Sequence, residues 1–355
     1  MTNRVVKIGL ICIAAVLCIS LLWGFFRFLS RYGGLEHRLL TDDTCEVSGS
    51  YDCKKSRVTI PRSMDGNKVV GIGGGAFSGN TYVKSVKIPA RIGYIGAYAF
   101  AECSNLQKIN IPKAVTVIED AVFRSCTSLA RIELHEGITK IGHSAFRYCV
   151  LLDKVVIPSA VTEIGDDAFS ECISLSNIAI PDNVERLGIR SFWGCSSLKE
   201  VTFGKNLWSI GDSAFMHCEG LTNLEIENTT EFLFDIGSGA FMGCTSLESV
   251  VIRDGQYLTR GNVFEDCTSL KTVTLGNGMD TVCNGMFENC TSLESITLPQ
   301  SLMQIDDVAF RGCSSLKEIR YGGTVQQWSE IRFGDLWDEG TGEYRVYCSD
   351  GVVEK

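Results

Sequence analysis

One glycine-rich stretch, GIGGGAFSG at 71–79, has a spacing that could bind a nucleotide. Gly71, Gly73 and Ala76 match the G-x-G-x-x-A spacing with which a dinucleotide fold approaches a pyrophosphate. Such a site also requires an acidic residue about twenty positions later, and the segment RIGYIGAYAF at 91–100 supplies none. The glycines therefore do not indicate a nucleotide site, and their spacing needs another explanation.

The 16 cysteines and 4 histidines are the other residues that could ligate a metal or act as nucleophiles. His37, His135, His143 and His217 form no H-E-x-x-H motif, and no two cysteines have C-x-x-C spacing. The segment IGDSAF at 210–215 lacks the second glycine of a nucleophile elbow. The sequence predicts no metal site, no cofactor and no catalytic residue, and hence a protein that is not an enzyme.

A repeat explains both sets of residues. Its pattern is I-G-x-x-A-F-x-x-C-x-x-L-x-x-I-x-I-P-x-x-V, and its phenylalanines recur every 23 residues, with one interval of 26. The phenylalanines are Phe77, Phe100, Phe123, Phe146, Phe169, Phe192, Phe215, Phe241, Phe264, Phe287 and Phe310. Ile72-Gly73 and Ala76-Phe77 are the first copy, so the glycine spacing belongs to the repeat.

The repeat predicts a solenoid of the leucine-rich-repeat type, because units of 20–29 residues with an L-x-x-I-x-I core are typical of that fold. Ile178 and Ile180 alternate as in a β-strand, and Pro181 ends the strand. The A-F-x-x-C segment is too short for a stable helix and predicts one turn or a 3₁₀ piece on the opposite wall. We expect about 11 coils, each burying its apolar side chains against its neighbours.

Ten cysteines occupy one position of the repeat, so they stack coil on coil. Their side chains should run parallel, which disfavours disulfides and predicts free, buried thiols. Cys45 and Cys53 lie outside this ladder, eight positions apart, and are a candidate disulfide.

Residues 8–26 are uncharged and long enough to cross a bilayer as a helix. No small-x-small site follows them, which favours an uncleaved signal anchor over a cleaved signal peptide. The predicted organisation is a cytoplasmic N-terminus at 1–7, a transmembrane anchor at 8–26, a juxtamembrane linker at 27–43, an N-terminal cap at 44–66, repeats at 67–321 and a C-terminal cap at 322–355. The repeats would then face the outside of the cell.

The charge of the chain restricts its partners. Residues 39–355 carry 28 basic and 41 acidic side chains, a formal charge of −13. Phosphate backbones repel a surface of this sign, so nucleic acid is not an expected partner.

The A-F-x-x-C-x-x-L ladder at 77–316, the I-P pairs that follow many strands, and the tail YGGTVQQWSEIRFGDLWDEGTGEYRVYCSDG resemble the BspA-like leucine-rich-repeat surface proteins of bacteria and some protozoan parasites. The resemblance covers about 44–355. It implies a solenoid on a cell surface, in a family often tied to adhesion or to contact with host proteins.

Two sets of residues are candidate contacts for a ligand. Outward positions of the predicted strands form a stripe whose middle is small and mostly uncharged, and whose members are Val156, Ala179, Thr202, Glu225, Val251, Thr274 and Thr297. The alternative is that they are ordinary strand formers on a solvated sheet. The insertion that lengthens one repeat supplies Phe232, Leu233 and Phe234. Trp328 and Trp337 are expected to pack in the C-terminal cap, with sugar stacking as the other option.

The sequence thus predicts a membrane-anchored protein of the cell surface that binds a protein or glycan on a host or neighbouring cell, as in adhesion. A structural or scaffolding protein of the envelope without a high-affinity soluble ligand is the alternative. The stripe is the feature that separates the two, because only the first function requires a contact surface.

Overall fold

The computed structural model describes residues 32–41, 43–227 and 232–355. The predicted anchor at 8–26 lies outside the described residues and stays a prediction. Within the described part of the chain, no helix combines the length and the apolar character needed to cross a membrane.

Thirteen coils form the solenoid, two more than the sequence repeat shows. Each coil contributes a strand, or a strand-like rung, to one wall, here called the front sheet. The strands of this sheet are β3 (Arg57–Thr59), β6 (Ser85–Lys87), β8 (Lys108–Ile109), β12 (Asn177–Ala179), β14 (Glu200–Thr202), β16 (Asn223–Ile226), β18 (Ser249–Ile252), β20 (Thr272–Leu275), β22 (Ser295–Leu298), β24 (Glu318–Tyr321) and β26 (Arg345–Tyr347). Arg131 and Lys154 form a single bridge where the wall is least regular. The two additional coils come from the caps, which supply β3 and β26 without the A-F-x-x-C signature.

A second parallel wall, the back sheet, runs through the residues just before each I-G pair. Its strands are β2 (Thr44–Gly49), β5 (Asn67–Ile72), β7 (Tyr94–Ile95), β9 (Val117–Ile118), β10 (Lys140–Ile141), β11 (Glu163–Ile164), β13 (Arg186–Leu187), β15 (Ser209–Ile210), β17 (Phe234–Ile236), β19 (Tyr257–Thr259), β21 (Thr281–Val282), β23 (Gln304–Ile305) and β25 (Arg332–Phe333). The prediction of one strand per coil was therefore incomplete. Strands of two residues are too short to produce a hydrophobic alternation.

The glycine of the I-G pair follows most back-sheet strands, where adjacent coils approach closely. A Cβ on Gly188 would lie 2.5 Å from the backbone nitrogen of Asp166, and one on Gly237 would lie 2.5 Å from that of Asp212. No side chain fits between backbones at this separation. The glycines that resemble a nucleotide loop are packing residues too: a Cβ on Gly71 would lie 2.0 Å from the Tyr94 ring, and one on Gly73 would lie 2.7 Å from the Glu46 carboxylate.

The A-F-x-x-C segment forms a turn, which is the first of the two predicted alternatives, and not a 3₁₀ piece. Its N–H groups alternate between partners: that of Ala99 donates to the Gly96 carbonyl of its own coil at 3.1 Å, and that of Phe100 donates to Val122 of the next coil at 2.9 Å. Two residues per coil have positive φ, as at Tyr98 (59°) and Glu102 (61°). The segment is a ladder of turns, here called the turn wall, whose hydrogen bonds join coil to coil.

The acidic pair Asp166 and Asp167 precedes one of these turns. Asp167 has a φ of 54°. The Asp166 carboxylate accepts a hydrogen bond at 2.8 Å from the backbone N–H of Ile189 in the next coil. This carboxylate therefore joins neighbouring coils.

The core is a single column enclosed by the three walls. The eleven repeat phenylalanines are fully buried, and consecutive rings stack with centroids 5.0–5.9 Å apart and planes within 17° of parallel. At the C-terminal end Trp337 closes the column, edge-on to Phe310 at 6.0 Å.

The caps end both sheets with antiparallel strands. At the N-terminus β1 (Glu36–Thr41) pairs with β2, and β4 (Ser63–Met64) pairs with β5. Residues 36–41, predicted as linker, thus belong to the cap. At the C-terminus β27 (Val352–Glu354) pairs with β26, and helix α1 (Val325–Glu330) begins at a capping box on Thr324. Trp328 on α1 packs against Tyr321 and Phe333, which confirms the cap role.

Candidate binding surface on the front sheet

The structure brings most of the predicted stripe together. Ala179 is in register with Thr202, and Glu225, Val251, Thr274 and Thr297 form a second continuous row. All of these side chains are exposed except Val251, which is half-buried. The period of two therefore predicted correctly which side chains face outward.

Val156 departs from this arrangement. It is 65% exposed, but its coil has no regular strand in the front sheet, where the one β-bridge to the preceding coil joins Arg131 and Lys154. Val156 therefore lies beside the ordered part of the stripe.

The chemistry of the stripe is that of methyl and hydroxyl groups. The hydroxyls of Thr202, Thr274 and Thr297 make no hydrogen bond with the residues that the structure describes, so they are open to a ligand. The one charge, Glu225, is neutralised by Arg253, whose guanidinium lies 2.6 Å from the carboxylate. Because both side chains are mostly exposed, this pair adds little stability. Its effect is to neutralise the one charge of the stripe.

The insertion lies on the other wall. Phe232 is 66% exposed and Leu233 49%, whereas Phe234 is 1% exposed and packs on Tyr257 in the back sheet. Phe234 is thus a core residue and not a ligand contact, since the first residue of β17 points inward. The stripe and the insertion do not form one site.

The ladder cysteines are buried hydrogen-bond donors. Each of the ten thiols donates to the carbonyl of the phenylalanine in the preceding coil, with sulfur–oxygen distances of 3.0–3.4 Å. Burial raises the pKa of Cys149 and Cys195 to about 12. A nucleophilic cysteine needs a thiolate, so these residues are unsuited to catalysis. The prediction of free, buried thiols is confirmed.

The candidate disulfide is not formed. Cys45 and Cys53 are both free and buried. They serve different parts of the cap: the Cys45 thiol donates to the Asn67 carbonyl at 3.7 Å, whereas the Cys53 carbonyl accepts from the Asn80 side chain at 3.0 Å. Asn80 occupies the position that is cysteine in later repeats. Its side-chain amide can donate to the backbone carbonyls of the N-terminal cap, which lie in the preceding coil.

A shallow groove of about 450 Å³ runs along the back sheet, floored by glycines of the I-G pairs. Its lining includes four carboxylates and two arginines, and one of each pairs across it: Arg260 lies 3.1 Å from Asp235. No group of three potential metal ligands occurs among the residues with described positions. The groove therefore carries no evident chemistry.

Comparison with known proteins decides the family. The pattern of the "BspA type Leucine rich repeat region" matches six copies across residues 50–176, 162–256 and 234–336. The chain belongs to this family. No curated protein matches it. Among solved structures, a leucine-rich repeat protein from Bacteroides ovatus is 29% identical, with 86% of this chain and 90% of that chain covered and a TM-score of 0.66. The T. pallidum leucine-rich repeat protein is 32% identical over 54% of this chain and 89% of its own, with a TM-score of 0.50.

Membership in the BspA-type family confirms the leucine-rich-repeat fold predicted from the repeat. Within this chain the stripe occupies the x of each I-x-I, a position whose residue type varies from coil to coil.

Proposed function

We propose that this BspA-type protein is a non-enzymatic binding protein of the cell surface, anchored by residues 8–26. Its front-sheet stripe would contact a protein or glycan on a host or neighbouring cell, as in adhesion. The observation that carries the proposal is the pair of in-register rows of mostly small, uncharged side chains, with threonine hydroxyls that have no partner among the described residues.

The shape and composition of this row suit a contact surface. Parallel strands place equivalent side chains about 4.8 Å apart, so the row presents a regular array of methyl and hydroxyl groups. Hydroxyls hydrogen-bond to sugars and to peptide groups alike. The buried, protonated thiols support binding over catalysis.

The test is capture of partners by the full-length chain in detergent micelles, presented to arrays of extracellular matrix proteins and glycans. The variant Ala179→Arg/Thr202→Arg places two large cations on the stripe. The matched control, Ala114→Arg/Thr162→Arg, makes the same chemical change at exposed positions away from it. We expect saturable binding that the first variant abolishes and the control retains.

Equal loss in both variants would contradict a role for the stripe. The absence of any saturable partner for the folded wild-type chain would favour the structural envelope protein. Location is tested separately by protease treatment of intact cells: release of peptides from 77–316 supports surface exposure, whereas protection until lysis would exclude it.

A further inference from the structure

The first three coils of the front sheet carry a concentration of positive charge. Their outward side chains include four cations, Arg57, Lys84, Lys87 and Lys108, and no carboxylate. The cations are exposed and line a groove of about 920 Å³ across the strands. None of them forms an ion pair with the residues that the structure describes. This is unusual in a chain whose body is strongly acidic.

Later coils show that the repeat can neutralise the same position. Lys84, Lys271 and Lys317 occupy equivalent places, because each backbone N–H donates to the residue before the strand of the preceding coil. In that preceding coil, Glu248 pairs with Lys271 at 3.0 Å and Glu294 pairs with Lys317 at 3.2 Å. Below Lys84 the corresponding residue is Ser56, which leaves the ammonium group unpaired within the described residues.

We infer that this groove, the basic groove, binds an anionic polysaccharide whose chain runs along the solenoid axis across the first three coils. The stacking of coils spaces the cations at intervals of about 4.8 Å or small multiples of it. A linear polymer with recurrent sulfate or carboxylate groups can contact several of them at once, and each contact is a charge-assisted hydrogen bond.

The lining of the basic groove distinguishes this partner from others. It contains no aromatic side chain on which nucleic-acid bases could stack. Val86 is its one apolar lining residue and is 2% exposed, so a peptide would find no apolar anchor. An anionic membrane is a broad surface that the acidic remainder of the chain would oppose. A hydrated, narrow polyanion meets none of these obstacles.

The experiment measures binding of the full-length chain, in detergent micelles, to immobilised heparin and to polygalacturonate, which separate sulfate from carboxylate recognition. Neutral dextran, anionic phospholipid vesicles and an oligothymidylate are measured in parallel. The test variant is Lys84→Gln/Lys108→Gln, and the matched control is Lys271→Gln/Lys317→Gln. A third variant, Lys84→Arg/Lys108→Arg, keeps the charges.

We expect saturable, salt-sensitive binding to at least one polyanionic glycan, weakened on the order of tenfold or more in the test variant. The control and the arginine variant should retain it. The inference is overturned if neither glycan binds, if dextran binds equally well, if test and control weaken alike, or if vesicles or the oligonucleotide bind in preference. Failure here leaves the stripe proposal intact, because that surface lies over later coils and has its own variants.

Discussion

At buried positions of the repeat, the residue type follows from the hydrogen-bond partners that are within reach of its polar atoms. The ladder cysteine fits because its sulfur fills a small space while its S–H binds a phenylalanine carbonyl, and Asn80 replaces it where cap carbonyls are offered. Ser191 breaks this rule. Its hydroxyl is fully buried without a hydrogen-bond partner, at a position where the neighbouring coils have Ala168 and Ala214.

Ser191→Ala should therefore stabilise the protein, because it removes a buried hydroxyl that folding strips of water without compensation. The expected gain in the free energy of unfolding is about 1–2 kcal/mol, measured by urea denaturation. Ser78→Ala, at an exposed position one residue after Phe77, is the control and should change it by less than about 0.5 kcal/mol. Destabilisation by Ser191→Ala would mean that the hydroxyl has a partner, such as a buried water.

At the scale of elements, the turn wall depends on residues that tolerate positive φ. Val308 has a φ of 50°, although a β-branched side chain is poorly suited to that conformation. Gly239 and Gly285 occupy the same place in other coils.

Val308→Gly should stabilise the fold by about 0.5–1 kcal/mol, since relief of backbone strain exceeds the entropy that glycine loses on folding. Gly285→Val is the reciprocal change. It should destabilise the fold, because valine would have to adopt positive φ there. Its Cβ would also lie 2.7 Å from the Asn262 side chain. Thermal unfolding of both variants checks the prediction, and a shift of the same sign in both would refute it.

The back sheet depends on the glycines between coils. Gly188→Ala should destabilise by about 1–3 kcal/mol, because its Cβ would force apart two backbones that cannot yield locally. Gly93→Ala is the matched control: its Cβ would meet nothing closer than 3.8 Å. A comparable loss of stability in both variants would contradict the role of close contact between coils, because Gly→Ala without a clash should stabilise by lowering the entropy of the unfolded chain.

These elements also show what the sequence could and could not predict. The alternation of Ile178 and Ile180 was sufficient to predict the front sheet and the outward stripe, because side chains along a strand alternate with period two. Back-sheet strands such as β13 are two residues long and carry no period. Positive φ in the turn wall falls on tyrosine, glutamate, serine and valine alike, so residue type did not reveal it. The neutralisation of Glu225 by Arg253 depends on coil-to-coil register across 28 positions, which only the structure supplies.

The whole molecule is one column, and its ten ladder thiols link its stability to pH. Burial raises the pKa of these thiols above the ordinary value of 9.0, to about 12 at Cys103, Cys149 and Cys195. Below pH 9 the thiol is neutral in both the folded and the unfolded chain, so the folded state bears no penalty. Between pH 9 and about 12 only the unfolded chain releases the proton, and stability must fall as the pH rises.

At one pH unit above the unfolded pKa, each such thiol lowers the free energy of unfolding by about 1.4 kcal/mol. Ten of them together are comparable with the whole stability of an ordinary domain, about 5–15 kcal/mol. We therefore expect cooperative unfolding near pH 10, observed as loss of far-ultraviolet circular dichroism and as sudden reactivity of the thiols towards an alkylating reagent. Cys149→Ala/Cys195→Ala should reduce the loss of stability between pH 8 and pH 10 by about twice the single-thiol amount. An unchanged pH dependence in this variant would show that other groups, and not the cysteine ladder, limit the alkaline stability of the solenoid.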